Sequence, residues 1–420
     1  MPMTFSRIGQ LLSGPSGIQE LMDDLGAAMT SHPDMRMLGG GQPAAIPEVQ
    51  ALWRRQMHAL VEDGPVLDRM LLNYDPPSGN PQFREAFASF LKRECGWEVT
   101  RENICVLPSS QAAFFLLFNL LAGDSPSGKK RILCPLVPEY IGYANQGLSE
   151  EHFAACLPQI EEHGPHEIKY RVDFDRLRSA ITPDIAAMAV SCPTNPTGNV
   201  LTPEEFTRLR DLARARGIPL IVDNAYGHPF PDVLYTGFHP HWEEGMIFSI
   251  SMSKVGLPGV RNAMIVASPQ IVKALSNMNA ILALANPNLG QTLLTPLLAD
   301  DTLPRLSREV IRPFYKARSD FAAEVLTNSL GDRTRWALHA REGAFFLWLW
   351  LKDLRITSAE LYQRLKERSV LVIPGHYFSF GLKEPWAHAS QCLRITFSQP
   401  HQIVQDGLEI LAEEAVRASQ

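Results

Sequence analysis

Lys254 stands in an unusual setting, the run SMSKVGLPGVR (251–261), directly after an apolar stretch that ends in FSI. Lysine is ordinarily a solvated surface charge. Here two serines, two glycines and an arginine crowd it just past a buried strand. An amine so placed can form a Schiff base with an aldehyde cofactor, while Ser251, Ser253 and Arg261 offer charge-assisted hydrogen bonds suited to that cofactor's phosphate. Asp223 brings a second kind of chemistry. It follows the apolar run IPLIV, and a carboxylate at the rim of a core needs a partner to offset its desolvation. A protonated ring nitrogen is one such partner. The stretch PTNPTG (193–198) is a third strand end, and by composition alone it reads equally well as a simple turn.

These groups need a frame that brings strand ends together. From 103 to about 266 the short apolar runs ICVL, RILCPLV, IAAMAVSC, IPLIVDNAYG, GMIFSISMS and NAMIVAS alternate with stretches of helical period. Such alternation predicts an α/β fold, a mostly parallel sheet with helices on both faces. Asn195, Asp223 and Lys254 then lie at the carboxyl ends of strands, where open α/β sheets bind ligands. One helix opens at Ser109 or Ser110 and runs to near Gly123. Another starts at Thr202-Pro203-Glu204-Glu205, a capping threonine followed by a first-turn proline and acids. After about 313 the texture changes to a long amphipathic helix, the strand AFFLWLWL, the helix SAELYQRLKERS, the strands VLVIP and CLRITF, and a closing helix. The expected division is a large domain over 46–312 and a smaller α+β domain made of 313–420 with the N-terminal segment 1–45.

Composition limits the classes of function. The chain has 420 residues, 45% of them hydrophobic and 20% charged, which is ordinary for a globular protein with a real core. A net charge of −6 gives no overall basic field for nucleic acid or anionic lipid. No apolar run approaches the ~20 residues that cross a bilayer, and the N-terminus lacks the apolar core of a secretory signal, so a cytoplasmic location is expected. The six cysteines form no CxxC pair and are read as buried free thiols, with no metal site expected. Only about 35 residues precede Gly39, too few for a DNA-binding module with its linker. Neither GGGQP nor GLPG fits a dinucleotide or P-loop pattern.

Taken together, SK-x-G-LPG-x-R, NPTG and DNAYG resemble the signature of the fold-type I pyridoxal-phosphate aminotransferases. The likeness is colinear along nearly the whole chain, through MLGGGQPAAIPEVQ (37–50), NYDPPSG (73–79), PEYIGYA (138–144), DNAYGHPFP (223–231), EGAFFLWLWLKDLRIT (342–357), LYQRLKERSVLVIPGHYF (361–378) and QCLRITF (391–397). Within the family the wording is similar to the branch that exchanges amino groups between L-valine and pyruvate.

The resemblance implies pyridoxal 5'-phosphate as cofactor, with Lys254 as its Schiff-base lysine and Asp223 facing the pyridine nitrogen. It implies that Asn195 and Tyr226 bind the cofactor's 3-hydroxyl and that Tyr140 stacks on the ring. The phosphate would rest on the helix opened by Ser109, Ser110 and Gln111, with Ser251, Ser253 and Arg261 completing the cage. Tyr74 would reach the phosphate in a neighbouring subunit, making the active unit a homodimer. Arg394 would clasp the substrate α-carboxylate, with Asn195, Gly40 and Gly41 beside the substrate. The implied reaction takes the amino group of L-valine, alanine or 2-aminobutyrate and hands it to pyruvate or another 2-oxo acid by a ping-pong route, giving 3-methyl-2-oxobutanoate and L-alanine from valine and pyruvate. A broad alanine or aromatic aminotransferase and a C–S β-lyase share the same cofactor set. Some positions depart from the family pattern: Ser109 stands where glycine is usual, only Val255 separates Lys254 from the next glycine, and Arg341 and Ser369 replace a common proline and glycine.

Overall fold

The apolar runs of the first half become one sheet in the computed structural model, which describes residues 3–31 and 34–420. In sheet order its main strands are Ile104–Leu107, Ala263–Val266, Met246–Ser251, Leu220–Asp223, Ile185–Ser191 and Gly128–Cys134. Gly123–Ser125 and Phe153–Ala155 both pair with the last of these. Four of the six are buried at every position, as strands covered on both faces must be. Side chains alternate between faces: Ile104 and Val106 enter one apolar cluster, Cys105 and Leu107 the other.

Pairing is parallel from Met246–Ser251 through Gly128–Cys134, while Ala263–Val266 runs antiparallel to both its neighbours. The register sets Ser191, Asp223 and Ser249 in one row and Leu107, Ala263 and Ser251 in another. Four strand ends therefore open on one edge of the sheet, each leading into a loop that carries candidate chemistry. The two expected helices are present as Ser110–Leu121 and Pro203–Ala215, the second with a Thr202–Glu205 capping box. A cap of this kind is worth about 1 kcal/mol.

A second sheet has the order Ile373–Pro374, Cys392–Thr396, Phe346–Leu351, Trp336–His339, Glu167–Arg171, Gln159–Glu162. Its last two strands form a hairpin from inside 46–312, so this sheet draws on both stretches of the expected division. The strand VLVIP is also split. Val370–Leu371 pairs with Arg36–Met37 of the N-terminal segment, and Ile373–Pro374 pairs with Cys392–Thr396. The N-terminal helix Gly17–Ser31 is fastened to the C-terminal region by an Asp24–Lys366 ion pair of 2.7 Å and by the Tyr377 hydroxyl donating to Glu20. All six cysteines are free; five are buried and Cys95 is half-buried. Among the described residues no helix is long and apolar enough to cross a membrane.

Candidate active site

The edge where the strands end encloses a cavity lined by Ser110, Gln111, Tyr140, Asn195, Asp223, Tyr226, Ser251, Ser253, Lys254 and Arg261, with Phe114, Ser191, Pro193 and Ala225 between them. Lys254 comes from the turn Ser253–Val255 just past the strand Met246–Ser251. Its Nζ donates to the carbonyl of Gly41 at 2.7 Å and lies 5.4 Å from the centre of the Tyr226 ring. Burial lowers its pKa to about 8, helped by the positive fields of Arg394 and Arg261 and opposed by Asp223. An amine held near neutrality can act as nucleophile and as base at physiological pH.

Asp223 ends its strand with one oxygen engaged and one idle. Oδ2 accepts from the Tyr143 hydroxyl at 2.6 Å, whereas the buried Oδ1 has no hydrogen-bond partner among the described residues. Burial raises its pKa to about 6, against the Tyr143 hydrogen bond, the pull of the Ala225 backbone N–H and the Lys254 charge. A buried, unpaired carboxylate oxygen at a cavity wall fits a protonated ring nitrogen, the acidic partner that such a group lacks within the chain.

Across the cavity, Ser110 begins the helix Ser110–Leu121, whose first N–H groups are unpaired within the helix and suit an anion. Ser109 itself turns away: its Oγ caps Ala112 N at 3.0 Å and it is not among the lining side chains. Its φ of 165° is extended backbone, so serine replaces glycine there without strain. Gln111 Nε2 donates to Gly142 O at 3.0 Å and so ties this helix to the turn Ile141–Tyr143. Arg261 adopts a left-handed conformation, φ 58°, that brings a cation to the same side as Ser251 and Ser253.

Arg394 lies in the strand Cys392–Thr396, only 2% exposed, over the faces of Phe346 and Phe378. It donates to Asn195 Oδ1 at 2.8 Å and to Gly39 O at 2.6 Å, and forms no ion pair with a carboxylate among the described residues. Burial lowers its pKa to about 10, which leaves it charged. A buried guanidinium with no anion of its own is a receptor for one. Because Asn195 accepts through Oδ1, its NH₂ group remains to serve a ligand.

Tyr226 is 4% exposed and packs edge-on to Phe345 at 5.0 Å. Gly41 receives the lysine amine, and Gly40 sits next to it in the chain. Tyr74 is not brought here: it is 83% exposed and, like Gly40 and the Ser109 side chain, is not among the residues lining the cavity.

Two site residues escaped the sequence reading, both within PEYIGYA. Tyr143, packed at 4.8 Å on Phe114, is the donor to Asp223. Glu139 is fully buried and accepts from Ser191 N and Oγ, both at 2.7 Å, and from Tyr140 N at 3.1 Å. Burial raises its pKa to about 8. The signal for Tyr143 was its place three residues after Tyr140, one helical turn on. Glu139 carried none, because its closest partner, Ser191, comes from the distant strand Ile185–Ser191.

The family model "Aminotransferase class I and II" matches residues 51–411. The chain is 43% identical over 417 residues to valine–pyruvate aminotransferase of Escherichia coli (strain K12), covering 99% of each. It is 28% identical over 319 residues to aspartate/prephenate aminotransferase of Thermus thermophilus, covering 73% of this chain and 77% of that one. Two solved structures are similar throughout. A putative amino-acid aminotransferase from Psychrobacter arcticum 273-4 superposes with a TM-score of 0.96 at 41% identity, covering 99% of each chain. Valine–pyruvate aminotransferase AvtA from Salmonella typhimurium LT2 gives 0.87 at 42% identity, covering 96% of this chain and 99% of that one.

Proposed function

The chain belongs to the class I and II aminotransferases, and we propose that within them it transfers the amino group of L-valine to pyruvate with pyridoxal 5'-phosphate as carrier. The observation that carries the cofactor is the idle Asp223 Oδ1 on the same cavity as the Lys254 amine. The full-length likeness to valine–pyruvate aminotransferase supports the choice of substrates. When bound, the cofactor supplies an aldehyde that takes up the amino group and a ring that accepts the electrons released at the α-carbon.

The chain's own residues do the rest. Asp223 holds a proton on the ring nitrogen, and Tyr143 keeps that carboxylate aimed. Lys254 would anchor the cofactor and, with its amine free, would move the substrate α-proton as base and then acid, a service worth ~10²- to 10⁴-fold. Tyr226 and the amide of Asn195 serve the 3-oxygen, and Tyr140 covers the ring. Ser110, Gln111, Ser251, Ser253 and Arg261 hold the phosphate, with Ser109 acting through its backbone and its cap. Arg394 grips the α-carboxylate by two parallel hydrogen bonds, which fixes both position and orientation. Valine leaves as 3-methyl-2-oxobutanoate, and pyruvate collects the amino group to leave as L-alanine.

The active unit in this reading is a homodimer. The helix Gly64–Leu72 has no buried residue, and Leu71, Leu72 and Tyr74 are 67%, 80% and 83% exposed. An apolar helix end this bare needs a cover, and a second copy provides it. The six free thiols suit a reducing, cytoplasmic setting.

Product analysis tests the reaction. Purified enzyme with L-valine and pyruvate should give equal amounts of 3-methyl-2-oxobutanoate and L-alanine, and Lys254→Ala should give none beyond one turnover. Release of ammonia from an amino acid without any oxo-acid acceptor would point instead to a β-lyase.

A further inference from the structure

His228, Asp232 and His239 lie outside the chemistry above, on the long connection between Leu220–Asp223 and Met246–Ser251. One nitrogen from each ring and one carboxylate oxygen fall within 4.8 Å of one another. His228 Nδ1 is 3.9 Å from Asp232 Oδ2, and His239 Nδ1 is 3.7 Å from Asp232 Oδ1, both too long for hydrogen bonds. Both nitrogens and Oδ1 are buried without a hydrogen-bond partner among the described residues, and Asp232 is 1% exposed. His228 Nε2 lies 3.3 Å from the carbonyl of Glu94. A carbonyl only accepts, so it fixes the ring proton on Nε2, and in the neutral ring Nδ1 is then a lone pair facing a carboxylate. The His228 Nδ1 lone pair and Asp232 Oδ1 thus converge with the unpartnered His239 Nδ1 in a buried space, and a cation between the three would satisfy what Arg312, on the other carboxylate oxygen, does not reach.

The geometry points to a binding site for one divalent transition-metal ion of the zinc class, held by His228, Asp232 and His239. Tetrahedral ligands about 2.1 Å from zinc stand about 3.4 Å apart, so the two nitrogen–oxygen separations close by a few tenths of an ångström, and the widest pair of the set, within 4.8 Å, closes by rotation of the imidazole side chains on binding. Two imidazoles, one carboxylate and an open fourth position form a donor set that zinc accepts.

Arg312 decides the kind of ion. Its guanidinium pairs with Asp232 Oδ2, and its Nε donates to the Asp232 carbonyl at 3.0 Å, so the carboxylate's charge is already shared. Calcium or magnesium, which need several oxygen ligands, find little here, whereas a nitrogen-preferring ion keeps both imidazoles. Arg312 also orients the carboxylate from outside the ligand shell. Asp232 N bonds Gly227 O at 3.0 Å and Val233 N bonds Tyr226 O at 2.8 Å, so the bound ion staples the loop behind Tyr226 to the start of the helix Arg312–Leu330. Its role is structural.

The test uses tag-free holoenzyme, stripped of metal by a chelator, exposed to zinc alone, gel-filtered and assayed for metal per chain. Wild type should retain one zinc, and His228→Ala and His239→Ala should each lose at least tenfold in affinity when competed with a chromophoric chelator. Zinc should raise the melting temperature of wild type and leave both variants unmoved, while turnover of zinc-free wild type and of His239→Ala stays the same. His239 is the more exposed ring, so its variant carries the comparison if His228→Ala folds poorly. Zinc retention by wild type no greater than by His239→Ala, or no zinc-dependent melting shift, would overturn the site and leave a proton on one imidazole as the bridging cation.

Discussion

Asp223 is kept where its charge is disfavoured. Burial holds its pKa near 6, above the ordinary value of 3.8, so the folded chain binds a proton more tightly than the unfolded one. The stability gained from that proton is fully present below about pH 4 and lost as pH rises through about 6. At pH 7 the cofactor-free protein therefore carries a strained carboxylate, and Asp223→Asn relieves it. The cofactor-free variant should melt higher than cofactor-free wild type at pH 7, with the gap closing by pH 4, while its turnover with valine falls at least tenfold. A variant that melts lower at pH 7 would contradict the account. Lys254, Asp223 and Arg394 were legible in the sequence because their charge conflicts with the apolar runs around them. Tyr143 and Glu139 were not, since a tyrosine or glutamate near a turn becomes part of the site only through partners that tertiary packing supplies.

At the scale of elements, the turn after Lys254 shows how a short spacing is accommodated. Gly256 has a φ of 97°, and a Cβ there would come within 2.8 Å of Val49 Cγ1. The helix Pro47–Glu62 presses against this turn, and Trp53 Nε1 donates to Val255 O at 2.9 Å. Left-handed backbone costs a residue with a Cβ about 1–2 kcal/mol, and the contact with Val49 adds to it. Gly256→Ala should lower the melting temperature and loosen cofactor retention, whereas Gly259→Ala, which meets open space, should do neither. Equal behaviour of the two variants would remove the helix from the account of how Lys254 is placed.

The strands and helices around the cavity were readable from alternation, turns and caps. The hairpin Gln159–Glu162 with Glu167–Arg171 shows the boundary of that reading. Its strands were not among the apolar runs read from the sequence, because they are short and largely polar and their place is decided by pairing with Trp336–His339, more than 160 residues away. The split in VLVIP arises similarly, from two partners, Arg36–Met37 and Cys392–Thr396, that lie at opposite ends of the chain.

For the whole molecule, the proposed homodimer places its second copy against the bare helix Gly64–Leu72 beside Tyr74. Leu72→Glu should shift the protein to monomers in sedimentation and weaken its hold on pyridoxal phosphate, because in the proposed dimer the same face would deliver Tyr74. A dimer of unchanged stability in that variant would put the contact elsewhere. The central claim is that one cavity binds the cofactor and shuttles an amino group between valine and pyruvate. Its most direct test is the near-ultraviolet and visible absorption of the purified protein, recorded alone, after L-valine and then after pyruvate. The account predicts a cofactor band that fades with valine and returns with pyruvate. A band untouched by valine would contradict the substrate assignment, and absence of any band with added pyridoxal phosphate would contradict the site itself.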